Sequence, residues 1–232
     1  MSDPAVEPVA VPLPMFPLGS VLFPGMALSL HVFEPRYLQL VGDCLRHGHE
    51  FGVVLIERGA EVGGGDLRFG VGTVARIIEA APFPDGRWLL LCIGTRRIRV
   101  LTWLPDDPYP LALVENIFGR VDANGGDPSE AREELAAARA DAERAVRRSL
   151  AVAGELDEAP VATTFEIDDD PVLAGWQLAS AAPLGPVDHQ RVLEHDPEAD
   201  RLRLVAALAD DAAALLAFRL ACLGGDGEIS TG

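Results

Sequence analysis

Lysine is absent from the 232 residues: all nineteen basic side chains are arginine. That excludes every mechanism that needs an ε-ammonium, among them a P-loop lysine, a Ser-Lys dyad and a Schiff base. Cysteine is scarce. Cys44, Cys92 and Cys222 lie far apart in apolar surroundings without Cys-x-x-Cys spacing, so they read as small buried hydrophobes and not as a metal site or a disulfide framework. Their odd number, and an acidic, proline-containing start where a secretion signal would be basic and then apolar, point to a reducing cytoplasm. No apolar run approaches the roughly 20 residues of a membrane-spanning helix. Aromatic residues make up only 6%, so Leu, Val and Ala must supply most of the packing. Positive charge is short as well. A net charge of -17 repels phosphate backbones and anionic lipid, so neither nucleic acid nor membrane is an expected partner. The one cluster of cations, Arg96, Arg97 and Arg99, is split between two faces if it lies on a strand.

Chemical motifs are missing too. There is no Gly-x-x-x-x-Gly-Lys-Ser/Thr, Gly-x-Ser-x-Gly, His-Glu-x-x-His or Ser-x-x-Lys, and hence no catalytic residue to name. Gly63-Gly64-Gly65 reads as a hairpin tip. His47 and His49 flank a glycine at a helix end and read as solvated; His189 and His195 are six apart, a spacing that does not share a helix face. Asp168-Asp169-Asp170 lacks the alternation and glycine of a calcium loop and reads as a loop ending in a helix cap. No metal or cofactor is expected.

What is present is an apolar content of 49%, enough for a globular core. Residues 1–10 read as a lead-in, 11–121 as a β-rich half, 127–223 as a helical half and 224–232 as a tail. Strands are expected near 13–16, 27–32, 51–57, 70–80, 87–92, 97–104 and 111–118. The turn Phe83-Pro84-Asp85-Gly86-Arg87 joins two of them: proline presets φ and glycine accepts a positive one. One helix interrupts the strands, opened by Glu34-Pro35, with Leu38, Val41 and Leu45 on one face, and closed by His47-Gly48. In the second half, Asp127-Pro128, Asp170-Pro171 and Asp196-Pro197 each place a cap acceptor before a proline suited to the first helical position. The first of these helices carries a stripe of small residues: Ala131, Leu135, Ala138, Ala142, Ala145 and Ser149. Two shorter helices are expected near 172–182 and 187–195. The last is apolar over so wide a surface, Leu215 and Phe218 included, that it is expected to be largely enclosed. Glu143 and Arg147 are spaced for a surface ion pair.

The most specific pattern runs from Leu13 to Leu40. It holds Phe16-Pro17-Leu18, Val21-Leu22-Phe23-Pro24-Gly25 and Phe33-Glu34-Pro35-Arg36-Tyr37. Further on come Gly70-Val71-Gly72-Thr73-Val74-Ala75-Arg76-Ile77 and Gly94-Thr95-Arg96-Arg97-Ile98-Arg99-Val100. In this order the segments resemble the N-terminal, substrate-recognition domain of Lon proteases. The helical half is similar too, through Gln190 to Glu194 and Asp200-Arg201-Leu202. The resemblance implies an α+β fold: a PUA-like β-barrel with one embedded helix, followed by a C-terminal α-helical bundle. It implies a non-enzymatic module, because the P-loop and the lysine of the Lon machinery are missing. The expected partner is unfolded or extended polypeptide, bound as by an adaptor or a holdase. Phe33, Glu34, Arg36, Tyr37 and Trp176 are the candidate groove residues. For Arg36 and Tyr37 a structural reading stands beside this one, in which Phe33 to Tyr37 lock the helix onto the barrel. Alternatives are a small-molecule sensor and an enzyme of unknown chemistry.

Overall fold

Residues 51–55, Phe-Gly-Val-Val-Leu, are buried at every position, which a strand achieves only when both faces of its sheet are covered. A computed structural model, describing residues 10–58, 67–118 and 128–225, shows how. The strands are β1 (Val11–Leu18), β2 (Ala27–Val32), β3 (Glu50–Arg58), β4 (Leu67–Pro82), β5 (Trp88–Leu104) and β6 (Leu111–Asn116), with helix α1 (Pro35–Arg46) between β2 and β3. Their order is β2-β5-β4-β3-β1-β6, and a further β5–β6 pairing closes five of them into a ring. β2 lies outside the ring, along the first half of β5. The barrel is therefore a curled ring with one strand left at an edge.

Neighbouring residues on β1, β3 and β4 enter different cores. Met15, Val54 and Val74 join Ile98, Ala112 and Val114. Phe16, Val53 and Ala75 join Tyr37, Leu40, Val41 and Cys44 of α1. The three strands thus separate two apolar clusters. The fully buried face of α1 is Tyr37, Leu40, Val41 and Cys44, rotated from the expected one; Leu38 and Leu45 are half-buried. The two strands expected at 87–92 and 97–104 are one. β5 runs through Gly94 and Thr95 with a bulge opposite Val74 and Ala75, so the composition dip there marks a bend and not a break. The Phe83–Arg87 turn is a hairpin: Gly86, at φ +87°, donates to Phe83 O at 3.0 Å.

The chain divides into two units after Phe118. The second holds α2 (Pro128–Glu155), α3 (Pro171–Ala181), α4 (Pro186–Glu194) and α5 (Glu198–Gly225). The long helices α2 and α5 pack on each other, and Ala138, Ala142, Ala145 and Ser149 are buried on α2. Ala131 is exposed, so the small-residue stripe starts one turn later than expected. Asp170 caps α3, its carboxylate accepting from Leu173 N at 3.0 Å. α5 does not begin at Pro197: it begins at Glu198, with Arg201 N donating to Pro197 O at 3.0 Å, and Asp196 accepts from the Arg201 guanidinium at 3.4 Å. Nor is α5 enclosed along its length: Leu215, Phe218 and Leu223 are each more than 60% exposed. Asp127, the Gly63–Gly65 cluster, the 119–126 junction, and nearly all of the lead-in and tail lie outside the described residues.

Candidate functional site

Phe23-Pro24-Gly25-Met26 forms a turn, with Met26 N donating to Phe23 O at 3.1 Å and Gly25 at φ +78°. Proline second and a left-handed glycine third make it a type II turn. Gly94 fastens it to β5: its N–H reaches Met26 O at 2.9 Å and its C=O accepts from Gly25 N at 2.8 Å. A Cβ at Gly94 would stand 2.3 Å from Phe23 O, so only glycine permits this approach. β2 leaves the turn antiparallel to β5, Ala27 opposite Ile93 and Val32 opposite Trp88.

Two residues later α1 begins. Pro35 supplies no N–H, and Glu34 O accepts from Tyr37 N at 3.0 Å and Leu38 N at 2.9 Å. This abrupt strand-to-helix step brings Phe33, Glu34, Arg36 and Tyr37 together. It also leaves a cavity of about 190 Å³, lined by Phe16, Leu18, residues 29–34 and Tyr37. The Tyr37 ring is its wall, 3% exposed and stacked on Phe16 at 4.0 Å and 14°. Phe33 stands at the mouth, 55% exposed. Arg36 bends back, its Nε donating to Glu34 Oε2 at 3.0 Å and its guanidinium lying 4.5 Å from the Tyr37 ring centre. Arg36 is thus a latch over Tyr37, whose ring walls the cavity. Trp176 is not among the lining residues. It belongs to α3 in the second unit, 5% exposed, beneath the Arg201 guanidinium at 3.9 Å.

Titratable groups gather elsewhere on the first unit. A cavity of about 540 Å³ is lined by residues 11–14, Asp43, Cys44, His47, Gly48, Glu50 and Tyr109. Tyr109 donates to Asp43 Oδ2 at 2.8 Å, and burial with this bond pushes its pKa up to about 12. Cys44 donates to Glu50 O at 3.3 Å. Burial, with Asp43 and Cys92 nearby, raises the thiol to about 12, so it stays protonated and is no nucleophile. Burial opposes the charge on Glu50, but Arg96 and Arg76 outweigh it and hold the carboxyl below its ordinary range. These contacts tie α1, β3 and the segment before β6 together. Sequence reasoning missed them because Asp43 and Tyr109 are 66 positions apart and no local pattern pairs them. Among the described residues no group of three or more His, Cys, Asp or Glu is placed to hold a metal, and no helix is long and apolar enough to cross a membrane.

The helical unit has its own hollow, of about 430 Å³, among Ala153, Pro183, Leu184, His189, Leu215 and Leu216. A bidentate Glu158–Arg219 pair, at 2.7 and 2.8 Å, stands at its wall. Burial holds the His189 imidazole below its ordinary pKa, although Ala182 O lies 3.3 Å from Nε2.

Comparison with known proteins bears on both units. The family model for the substrate-binding domain of the ATP-dependent protease La (LON) matches residues 12–211. A Lon protease 2 of Myxococcus xanthus is 30% identical over 205 residues, 87% of this chain and 24% of its own length. A Lon protease of Anaeromyxobacter dehalogenans is 34% identical over 117 residues, 49% of this chain and 14% of its own length. The chain thus spans a quarter or less of the curated relatives it matches. Among solved structures, a Lon N-terminal domain protein from Xanthomonas campestris aligns with a TM-score of 0.55 at 29% identity, over 85% of this chain and 98% of that one. The N-terminal domain of a Mycobacterium avium complex Lon protease shares the fold at 15% identity, with a TM-score of 0.55.

Proposed function

The chain belongs to the family of LON substrate-binding domains, and from that premise we propose that it is a non-enzymatic module binding exposed apolar stretches of unfolded or extended polypeptide, as an adaptor or a holdase. The observation that carries this reading is the cavity between β2 and α1, walled by Phe16, Leu18, Leu30, Val32 and Tyr37, with Ser29, His31 and Glu34 also in its lining and half-exposed Phe33 beside it. A hollow of about 190 Å³ is sized for one side chain and not for a cofactor. The 232 residues contain neither a P-loop nor a lysine, which opposes an ATPase or a Ser-Lys peptidase within them. One short segment buries less area than a standard protein–protein interface, so binding is weak, with a Kd on the order of 1–100 μM.

An array of peptides tiled from unfolded proteins tests the reading. Peptides with apolar centres are expected to retain the protein and polar peptides not to. A blank array rejects the reading. The helical-unit hollow favours a second one, a small-molecule site, because its size lies in the range of ligand pockets, about 300–1,000 Å³. A thermal-shift screen in which small apolar compounds stabilise the protein, beside a blank array, would favour it.

A further inference from the structure

We infer that the outer edge of β2 is a strand-addition site: an extended polypeptide pairs its backbone with Ala27, Ser29 and His31 while an alternate side chain enters the cavity beside Leu30. This deepens the peptide-binding reading and rests on it.

The ladder phase points to those three residues. Gly94 N–H donates to Met26 O, so position 26 is a hydrogen-bonded partner of β5. In an antiparallel pair such positions alternate. Leu28, Leu30 and Val32 therefore turn their backbone groups toward β5, and Ala27, Ser29 and His31 turn theirs away from it. The side chains of these last three are exposed. β2 is terminal in the sheet order.

Exposed edges pair with other chains unless something blunts them, and two other edges among the described residues are blunted. β1 bonds to β6 only as far as Pro14, with Met15 N reaching Pro110 O, and beyond that Pro17 has no N–H to offer. β4 leaves β3 at Arg76; past that point it carries a bulge at Ile78 and ends in Pro82. β2, Ala-Leu-Ser-Leu-His-Val, has no proline, no bulge, no arginine and no carboxylate. The β2 edge also borders the cavity, which residues 29–32 line.

The occupant's chemistry follows. Alternating backbone donors and acceptors on a regular strand are satisfied by another extended backbone and not by a compact ligand or a nucleic acid. Side chains of paired strands share faces. Peptide residues on the Leu30 and Val32 face meet the cavity, and those between lie on the solvent side with Ser29 and His31. The site reads an apolar residue at every second position and tolerates the rest.

The test uses the full chain and a fluorescein-labelled octapeptide that alternates leucine with threonine between terminal arginines, with its amides N-methylated one at a time. Methylation of amides of one parity should weaken binding by about tenfold or more, and of the other parity by no more than about twofold. Ser29→Pro removes an outward N–H and sets the ring's Cδ on the edge, and should weaken binding by about tenfold or more, whereas Ser29→Ala should keep it. If Ser29→Pro does not fold, the methylation series decides alone. Equal sensitivity at both parities, or an unmodified octapeptide that fails to bind while the array is positive, overturns strand addition and leaves the peptide-binding reading standing. A blank array removes both.

Discussion

Arg36 is where the structural and functional readings of the same motif meet. It bonds Glu34 and lies over Tyr37, with 19% of its side chain exposed. Arg36→Ala should therefore lower stability by about 1–3 kcal/mol in urea melts; an unchanged midpoint would make the residue a surface group. The sequence allowed this pairing, since the partners are two positions apart. It gave no sign of the Tyr109–Asp43 bond, which depends on how α1 is laid against the strands. That bond carries a pH prediction. The fold favours the protonated phenol, so the native state holds the proton more tightly than the unfolded chain does. The contribution is fully present below pH 10 and is lost as pH rises toward about 12. Cys44 acts in the same sense from pH 9 to about 12. Urea melts should show stability falling over this alkaline window, and Tyr109→Phe should reduce the fall. The thiols offer a simpler check. Cys44 and Cys92 are buried and Cys222 is exposed, so a thiol reagent at neutral pH should modify one cysteine per native chain and all three once the chain is unfolded.

At the scale of elements, periodicity and turn chemistry made much of the fold legible, and the failures have physical causes. The Pro-Gly turn and the Pro35 helix start were readable because those residues have few backbone options. The sequence suggests two strands where β5 is one, because the run of apolar β-formers lapses at Gly94 and Thr95. The glycine is there for close approach to Phe23 O, and the threonine sits in a bulge. Gly94→Ala should destabilise the protein by about 2–3 kcal/mol, since the obstructing atom is a backbone oxygen; a melt matching that of the unsubstituted protein would show that the turn is not held against β5. The last turns of α5 were expected to be enclosed on composition alone, yet Leu215 and Phe218 are exposed. Composition says how apolar a helix is, not how much of it finds a partner. The same limit applies to the site. Phe33, Glu34, Arg36 and Tyr37 meet because they are contiguous, but Phe16, Leu18 and Leu30 complete the cavity through strand pairing that no local pattern encodes.

The net charge of -17 is unevenly spread over the whole molecule. Residues 1–118 hold nine arginines against thirteen carboxylates, and residues 119–232 hold ten against twenty-three. The cavity between β2 and α1 therefore sits in a unit with a net charge of only -4, and repulsion of phosphate is concentrated in the helical unit. On the proposed reading, apolar contact and backbone pairing, rather than charge, carry peptide affinity there. Raising salt from about 0.05 to about 0.3 M should change the Kd by less than roughly threefold, and the heat capacity of binding should be negative; a steep loss with salt would mean that charge and not the cavity holds the peptide. Where the peptide sits is the central claim, and chemical-shift mapping of the ¹⁵N-labelled full chain, titrated with an apolar peptide from the array, tests it most directly. Amide shifts concentrated on residues 27–37 are expected. Shifts confined to residues 128–225, or none at saturating peptide, would contradict the account.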